Sequence, residues 1–356
     1  MTQNPRRSQN IIIGPKSVGG SAPCLVVAEI GSNHNRDLAT AKRLIDVCQQ
    51  AGVDAVKFQF YTPDKIIPRS LLAKAYSWEA YSEKYALDVF EHHIATPAEW
   101  FPELAQYAIV RDLIPFAAVH DQAWAVFATK LGFPVLKLAS MEITNVELIR
   151  VLARMGKPLI ISTGMGHLSD IDRAVRIARE AGNNDLILFH CIANYPAQMH
   201  EFNLRQIETM LDCFDTLVGL SDHSRGFLTA VLAVALGACI VEKHVTLNRH
   251  QAGPDHHFAL EPGELAELVQ NIRATEAALG IGTLAALRAD EEKRSLYLRS
   301  VVAARSLPAG HILKTTDLTT KRPGSGIPPR FREVIAGREL RHEIAPDEPV
   351  HWSDLK

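Results

Sequence analysis

An α/β chain built on a closed eight-unit barrel, followed by a small C-terminal domain, is the fold this sequence predicts. Three observations carry that reading. Eight short apolar runs alternate with longer amphipathic stretches between Cys24 and Leu279. The runs are apolar throughout rather than alternating, as in a parallel sheet covered on both faces. Eight such units fit about 250 residues, the usual span of a (β/α)8 barrel. A doubly wound open sheet is the competing fold, and no Gly-rich dinucleotide turn supports it.

The elements follow in order. Ile11 to Gly20 reads as a hairpin placed to plug the barrel bottom. Cys24–Ile30 is strand one, and Leu38–Gln50 a helix stopped by Gly52. Ala55–Phe60 is strand two. A long aromatic and charged stretch, Tyr61 to Trp100, reads as helical insertions in a loop, and Phe101–Val110 as a helix. The remaining strands are Ile114–Val119, Val135–Ser140, Leu159–Thr163, Leu186–Ile192, Leu217–Ser221 and Cys239–Thr246. Their helices are Gln122–Leu131, Asn145–Met155, Leu168–Ala181, Leu204–Cys213, Gly226–Leu236 and Pro262–Leu279. These give a barrel domain over residues 1–285, a charged linker over 286–299, and a domain of short strands and Pro/Gly turns over 300–356.

Composition narrows the function. The 356 residues carry a formal net charge of −2 with no long run of one sign, so a basic nucleic-acid footprint is absent. No run approaches the roughly 18 apolar residues of a membrane span. The polar start lacks a signal-peptide core, and five scattered cysteines without CxxC spacing read as small buried thiols. Both point to the cytoplasm. Walker and Rossmann glycine patterns do not occur.

Active sites of such barrels lie at the C-terminal ends of the strands. Those ends carry Glu29 with Ser32, Asn33 and His34; Lys57 and Gln59; His120 and Asp121; Lys137, Ser140 and Glu142; Ser162 and Thr163; His190, Asn194 and Tyr195; Ser221, Asp222 and His223; and Glu242, Lys243 and His244. Isolated buried charge is costly, so this many ionisable groups on apolar strands points to a site. Lys57 and Lys137, with Ser140, Ser162 and Ser221, can converge on one phosphate. His223 and His244, on neighbouring strands, suit Mn²⁺, Fe²⁺ or Zn²⁺, with substrate oxygens and water completing the shell. Glu242 is either a supporting partner or a third ligand. Glu29 and Glu142 show no partner in the sequence. A metal, a phosphate site and two carboxylates suit carbon–carbon bond formation with a phosphorylated enol. His92, His93, His250, His256 and His257 read as loop histidines.

The segments Ala28–His34, Val56–Gln59, Lys137–Glu142, Ile161–Gly164, His190-Cys191 with Asn194-Tyr195-Pro196, Gly219–His223, Val241–His244 and Gly253–Asp255 together resemble the sialic acid synthase family, in order and along almost the full chain. The tail from Ser300 through Gly324 is similar to the antifreeze-like (SAF) domain those synthases carry. The resemblance implies condensation of phosphoenolpyruvate with an N-acetylated amino sugar, or with a legionaminic or pseudaminic acid precursor, giving a nine-carbon keto acid and phosphate. It implies a divalent metal, usually Mn²⁺, on His223 and His244. Phosphoenolpyruvate would lie on Lys57, Lys137, Ser140, Ser162 and Ser221, and the sugar against Gln59, Tyr195 and Asp255. Glu29 and Glu142 would flank the reacting carbons. A domain-swapped homodimer is implied, with Arg322 of the small domain reaching the partner's barrel. The chain departs from the family pattern at Ala118, in place of a phosphate-holding threonine, and at Ala193, in place of an asparagine. Either His120 takes over the lost contact or the phosphate is held less tightly.

Overall fold

A computed structural model describes residues 9–76, 81–280 and 288–356. The chain divides into two compact units, Met1–Gly280 and Ile281–Lys356.

The first unit is a closed parallel barrel. Its strands are β3 (Leu25–Glu29), β4 (Ala55–Phe60), β5 (Ile114–Val119), β6 (Leu136–Leu138), β7 (Leu159–Ser162), β8 (Leu186–Cys191), β9 (Leu217–Asp222) and β10 (Ile240–His244), and β10 pairs back onto β3. Every residue of all eight strands is buried except the half-buried Gln59. That burial explains the unbroken apolar runs. The first helix, Leu38–Ala51, starts where the Asp37 carboxylate accepts from the Ala39 and Thr40 amides, and ends at Gly52 with φ 78°.

The hairpin β1 (Asn10–Ile13) and β2 (Lys16–Gly19) precedes the barrel. Its Ile11, Ile13 and Val18 are buried in the same core as the barrel strands. Gly14 lies against Ile114 and Pro134, and Gly19 against Leu217, all at strand starts. Lys16 pairs with the buried Asp54, which also accepts from the Val26 amide. The hairpin therefore closes the end of the barrel opposite the strand C-termini.

The expected strand Val135–Ser140 is shorter, because residues 140–142 wind into a single 3-10 turn. The stretch after β4 holds short helices, including Pro63–Ile66, Ala73–Tyr76 and Ala86–Val89, with its own small apolar cluster around Tyr61, Val89 and Ile94. The cysteines are not uniformly buried: Cys213 is exposed, since it falls on the outer face of its helix, and Cys239 is half-buried. No helix among the described residues is long and apolar enough to cross a membrane.

In the second unit the charged segment expected as a linker contains a helix, Arg288–Tyr297. The expected boundary at residue 285 lies outside the described residues. The strands β11 (Ser300–Ala303) and β12 (Leu318–Lys321) pair antiparallel over a core of Val301, Leu307, Leu313, Ile327, Leu340 and Val350.

Candidate active site

The strand C-termini open into a cavity of about 200 Å³. Of the residues expected to hold the metal or the substrates or to flank the reacting carbons, all but Glu29, Glu142 and Arg322 line it; of the other strand-end residues, Asn33, His34, Asp121, Thr163, His190, Asn194, Asp222 and Lys243 do not. Strand pleating does the placing. On β10, Glu242 and His244 face inward while Lys243 points out; on β9 and just after it, Ser221 and His223 face inward while Asp222 points out.

The floor is a buried charge network. Lys137 Nζ donates to both oxygens of Glu242, at 2.6 and 2.7 Å, and Ser221 Oγ donates to Oε1 at 3.0 Å. Lys57 Nζ lies 3.5 Å from the same carboxylate and also pairs with Glu29. Burial alone would raise Glu242, but the Lys137 and Lys57 ammoniums outweigh it and hold the carboxyl at about 2. Burial pulls Lys57 down, yet Glu242 and Glu29 prevail and its pKa is raised. Lys137 is lowered, by burial first and by the neighbouring Lys57 charge, against the pull of Glu242. Burial raises Glu29, against the attraction of Lys57.

Both carboxylates that looked unpartnered have partners. Glu29 meets Lys57 and accepts from Gln59 Nε2 at 3.3 Å. Glu142 lies 3.1 Å from His120 Nδ1 and accepts from Asn145 Nδ2 at 2.9 Å. Those bonds, the one to His120 foremost, lower the Glu142 pKa. The partners come from other strands and turns, so sequence proximity does not disclose them. Glu242 is a partner of the lysines, which leaves it committed to the floor.

Above the floor, His223 and His244 stand with ring centroids 5.3 Å apart. His223 Nδ1 is 2.9 Å from the Ile192 carbonyl, which can only accept, so Nδ1 carries the hydrogen and Nε2 keeps its lone pair. Burial lowers His223 to about 4 and His244 well below its ordinary value. His244 Nδ1 is buried without a hydrogen-bond partner, and Asp255 Oδ2 lies 3.5 Å from it. Two neutral imidazoles, one with an orphaned nitrogen, fit a divalent metal as protein ligands. Among the described residues no cluster of three or more His, Cys, Asp or Glu could hold one unaided. Burial, and then the nearby Glu29 charge, raise Asp255 to about 7. Gly31, at φ 50°, sits where a Cβ would come within 2.8 Å of Glu29 and 3.5 Å of Asp255.

The remaining polar residues fall around this centre. Ser140 Oγ accepts from the Gly164 amide at 3.1 Å, and Ser162 Oγ is buried with no partner. Tyr195 packs on His223 with centroids 4.2 Å apart. His190, by contrast, is turned to the Phe202 carbonyl at 2.6 Å and serves packing. Arg322 belongs to the second unit, 5.3 Å from the Tyr297 ring centroid. Among the loop histidines, His93 is bonded to Glu83 and His256 to Thr246 and Asn35.

Sequence reasoning missed the upper wall. Tyr61, Ile66, Phe90 and Ile94, from the stretch after β4, line the cavity with Met141, Met165 and Cys191. The only sequence signal for that wall was the aromatic content of the insertion.

The NeuB family profile matches residues 44–283, and the SAF domain profile matches residues 299–356. The chain is 34% identical to an N,N'-diacetyllegionaminic acid synthase of Legionella pneumophila, over 98% of this chain and 99% of that protein. It is also 34% identical to the N-acetylneuraminate-9-phosphate synthase of Homo sapiens, over 94% and 93% respectively. A crystal structure of N-acetylneuraminic acid (sialic acid) synthetase from Leptospira borgpetersenii superposes with a TM-score of 0.73 at 32% identity, covering 80% of this chain and 95% of that one.

Proposed function

The chain belongs to the NeuB family, and from that premise we propose that it condenses phosphoenolpyruvate with the open-chain aldehyde of an N-acetylated amino sugar. The enol C3 of phosphoenolpyruvate forms a bond to the aldehyde carbon, water adds at C2, and phosphate leaves with its bridging oxygen by C–O cleavage. The product is a nine-carbon 3-deoxy-2-keto acid. One observation carries the reading: Lys57, Lys137 and Ser221 converge on Glu242 directly beneath the His223/His244 pair, in a family barrel.

In this reading Lys57, Lys137, Ser140, Ser162 and Ser221 receive the anionic substrate. Ser162 Oγ, buried and unpartnered, is ready to donate. The two ammoniums exchange part of their hold on Glu242 for the incoming phosphate or carboxylate. His223 and His244 would hold a divalent metal, Mn²⁺ by expectation, which when bound polarises the aldehyde oxygen. Gln59, Tyr195 and Asp255 face the sugar. Asp255, raised to about 7, holds a proton near neutral pH and can pass it to an oxygen at the mouth. Glu29 fixes Lys57 and Gln59, and Glu142 fixes His120.

The proposal extends to a cytoplasmic, domain-swapped homodimer in which Arg322 contacts the acyl group of a sugar in the partner's barrel. The family resemblance supports this part.

The test is phosphate release from phosphoenolpyruvate with Mn²⁺ across a panel of N-acetylated hexosamines and their 6-deoxy diamino relatives. Release that depends on one sugar is the expected result. No release with any sugar, from folded protein that still binds Mn²⁺, would defeat the reading.

A further inference from the structure

The ring of inward side chains is thin at β5. Ala118 is aligned with Gln59 on one side and Lys137 on the other, and gives the cavity only a methyl. The next inward residue is His120, just past the strand end, which lines the cavity with its side chain 7% exposed. Two contacts fix its ring. Nδ1 lies 3.1 Å from Glu142 Oε1, and the Tyr61 ring meets it edge-on, with centroids 5.8 Å apart at 85°. Glu142 is itself anchored, because its Oε2 accepts from Asn145 Nδ2 at 2.9 Å. His120 lines the cavity and Glu142 does not, so the Nε2 edge is the one turned to the cavity. A carboxylate only accepts, so Nδ1 carries a hydrogen and the neutral ring keeps its lone pair on Nε2. Among the described residues, Nε2 has no hydrogen-bond partner.

The condensation must take a proton from water and give one to phosphate. Most groups lining the cavity are committed elsewhere. Lys57 and Lys137 are held by Glu242. Tyr61, Tyr195 and Cys191 are phenols and a thiol, which keep their protons near neutral pH. His223 and His244 are assigned to the metal, the metal to the aldehyde oxygen, and Asp255 to the sugar. Arg322, expected at the acyl group, stays charged at any working pH. An imidazole backed by a carboxylate is the arrangement that accepts a proton and hands it on, as in the serine hydrolase triad.

Resting on the condensation reading above, we propose that His120, held by Glu142, takes a proton from the water that adds at C2 and returns it to the departing phosphate. As C3 bonds to the aldehyde carbon, C2 becomes electron-poor. Water adds there, and Nε2 takes one of its protons. The bond from C2 to the bridging oxygen then breaks, the C2 carbonyl forms, and the imidazolium gives its proton to the phosphate. The second water proton leaves as the carbonyl forms and makes up for the one gained by the aldehyde oxygen. His120 ends as it began, ready for the next turnover.

The experiment measures kcat and KM for phosphoenolpyruvate on the full chain, with Mn²⁺ and the acceptor from the sugar panel that releases most phosphate. His120→Gln and His120→Phe are compared with the parent, the second keeping a ring against Tyr61 without a nitrogen. Each should lower kcat by at least about a hundredfold, with KM for phosphoenolpyruvate little changed. Mn²⁺ affinity and circular dichroism should match the parent. Glu142→Gln should cost less, because glutamine still accepts from Nδ1. An unchanged kcat in either folded His120 variant overturns the proposal while the condensation stands. A raised KM with kcat intact would make His120 a phosphate ligand only, and loss of Mn²⁺ affinity would make it act through the metal; either overturns the proton role. No release by the parent with any acceptor overturns the condensation reading and this proposal together.

Discussion

The Asp222 carboxylate and the Lys243 ammonium lie 3.1 Å apart, both fully buried, on adjacent strands and immediately before His223 and His244. The pair faces away from the cavity, where Asp222 also accepts from the Ser224 amide and the Thr229 hydroxyl, and Lys243 donates to the Ser224 carbonyl. It thus pins together, from behind, the two strands that present the imidazoles. Lys243→Met strands a buried carboxylate and should cost about 3–5 kcal/mol in urea unfolding. Adding Asp222→Asn should recover part of that loss, and a double variant as unstable as the single one would count against the clamp.

The imidazoles themselves are tested through the metal. His223→Ala or His244→Ala should abolish metal-dependent phosphate release while circular dichroism remains that of the folded barrel. Chelation followed by Mn²⁺ add-back provides the control. An unchanged rate in either variant removes it from the ligand set.

Glu242→Gln removes the charge that both floor lysines share. Two buried ammoniums are then left short of a counter-charge, so stability should drop by several kcal/mol. Inorganic phosphate should raise the thermal midpoint of the variant more than that of the parent, because the anion replaces the missing carboxylate. Equal shifts would show that phosphate does not reach the lysines.

Acid should weaken the metal-free protein through its buried histidines. His34 accepts from the Arg36 amide at Nδ1 and meets Thr96 Oγ1 at 2.7 Å through Nε2, so it is held neutral. Burial foremost lowers its pKa to about 4. The unfolded chain takes up that proton near 6.5. The contribution is therefore complete above pH 6.5 and is lost as pH falls through 4, about 3 kcal/mol in all. His34→Gln should flatten the slope of stability against pH in that window. Asp255, raised to about 7, works in the opposite sense over pH 4–7, so the slope must be read as a difference between parent and variant.

Arg322→Ala should raise KM for the sugar more than KM for phosphoenolpyruvate. Equal losses for both would count against a sugar contact from the small unit.

Much of the fold was legible because burial on both faces leaves an unmistakable pattern. β4, β5 and the helix Pro262–Leu279 match the sequence reading residue for residue. Ends were less legible where the chain turns sharply, as at Ser140–Glu142. In the site, residue type and strand position located Lys57, Lys137, His223 and His244. They could not disclose that both lysines rest on Glu242, 105 positions beyond Lys137, or that His120 holds Glu142. Such pairings are set by barrel closure. The wall of Ile66, Phe90 and Ile94 was hidden because apolar residues in a long insertion look alike whether they pack inward or face a ligand.

The barrel interior is packed by its own strand side chains, with the hairpin β1–β2 against the strand starts, so the cavity at the strand C-termini is a well. On the proposed reading, a ligand bound at the lysine floor would have to pass the mouth before the mouth is filled. Depth would then become sequence in time, with the anion expected to enter before the sugar.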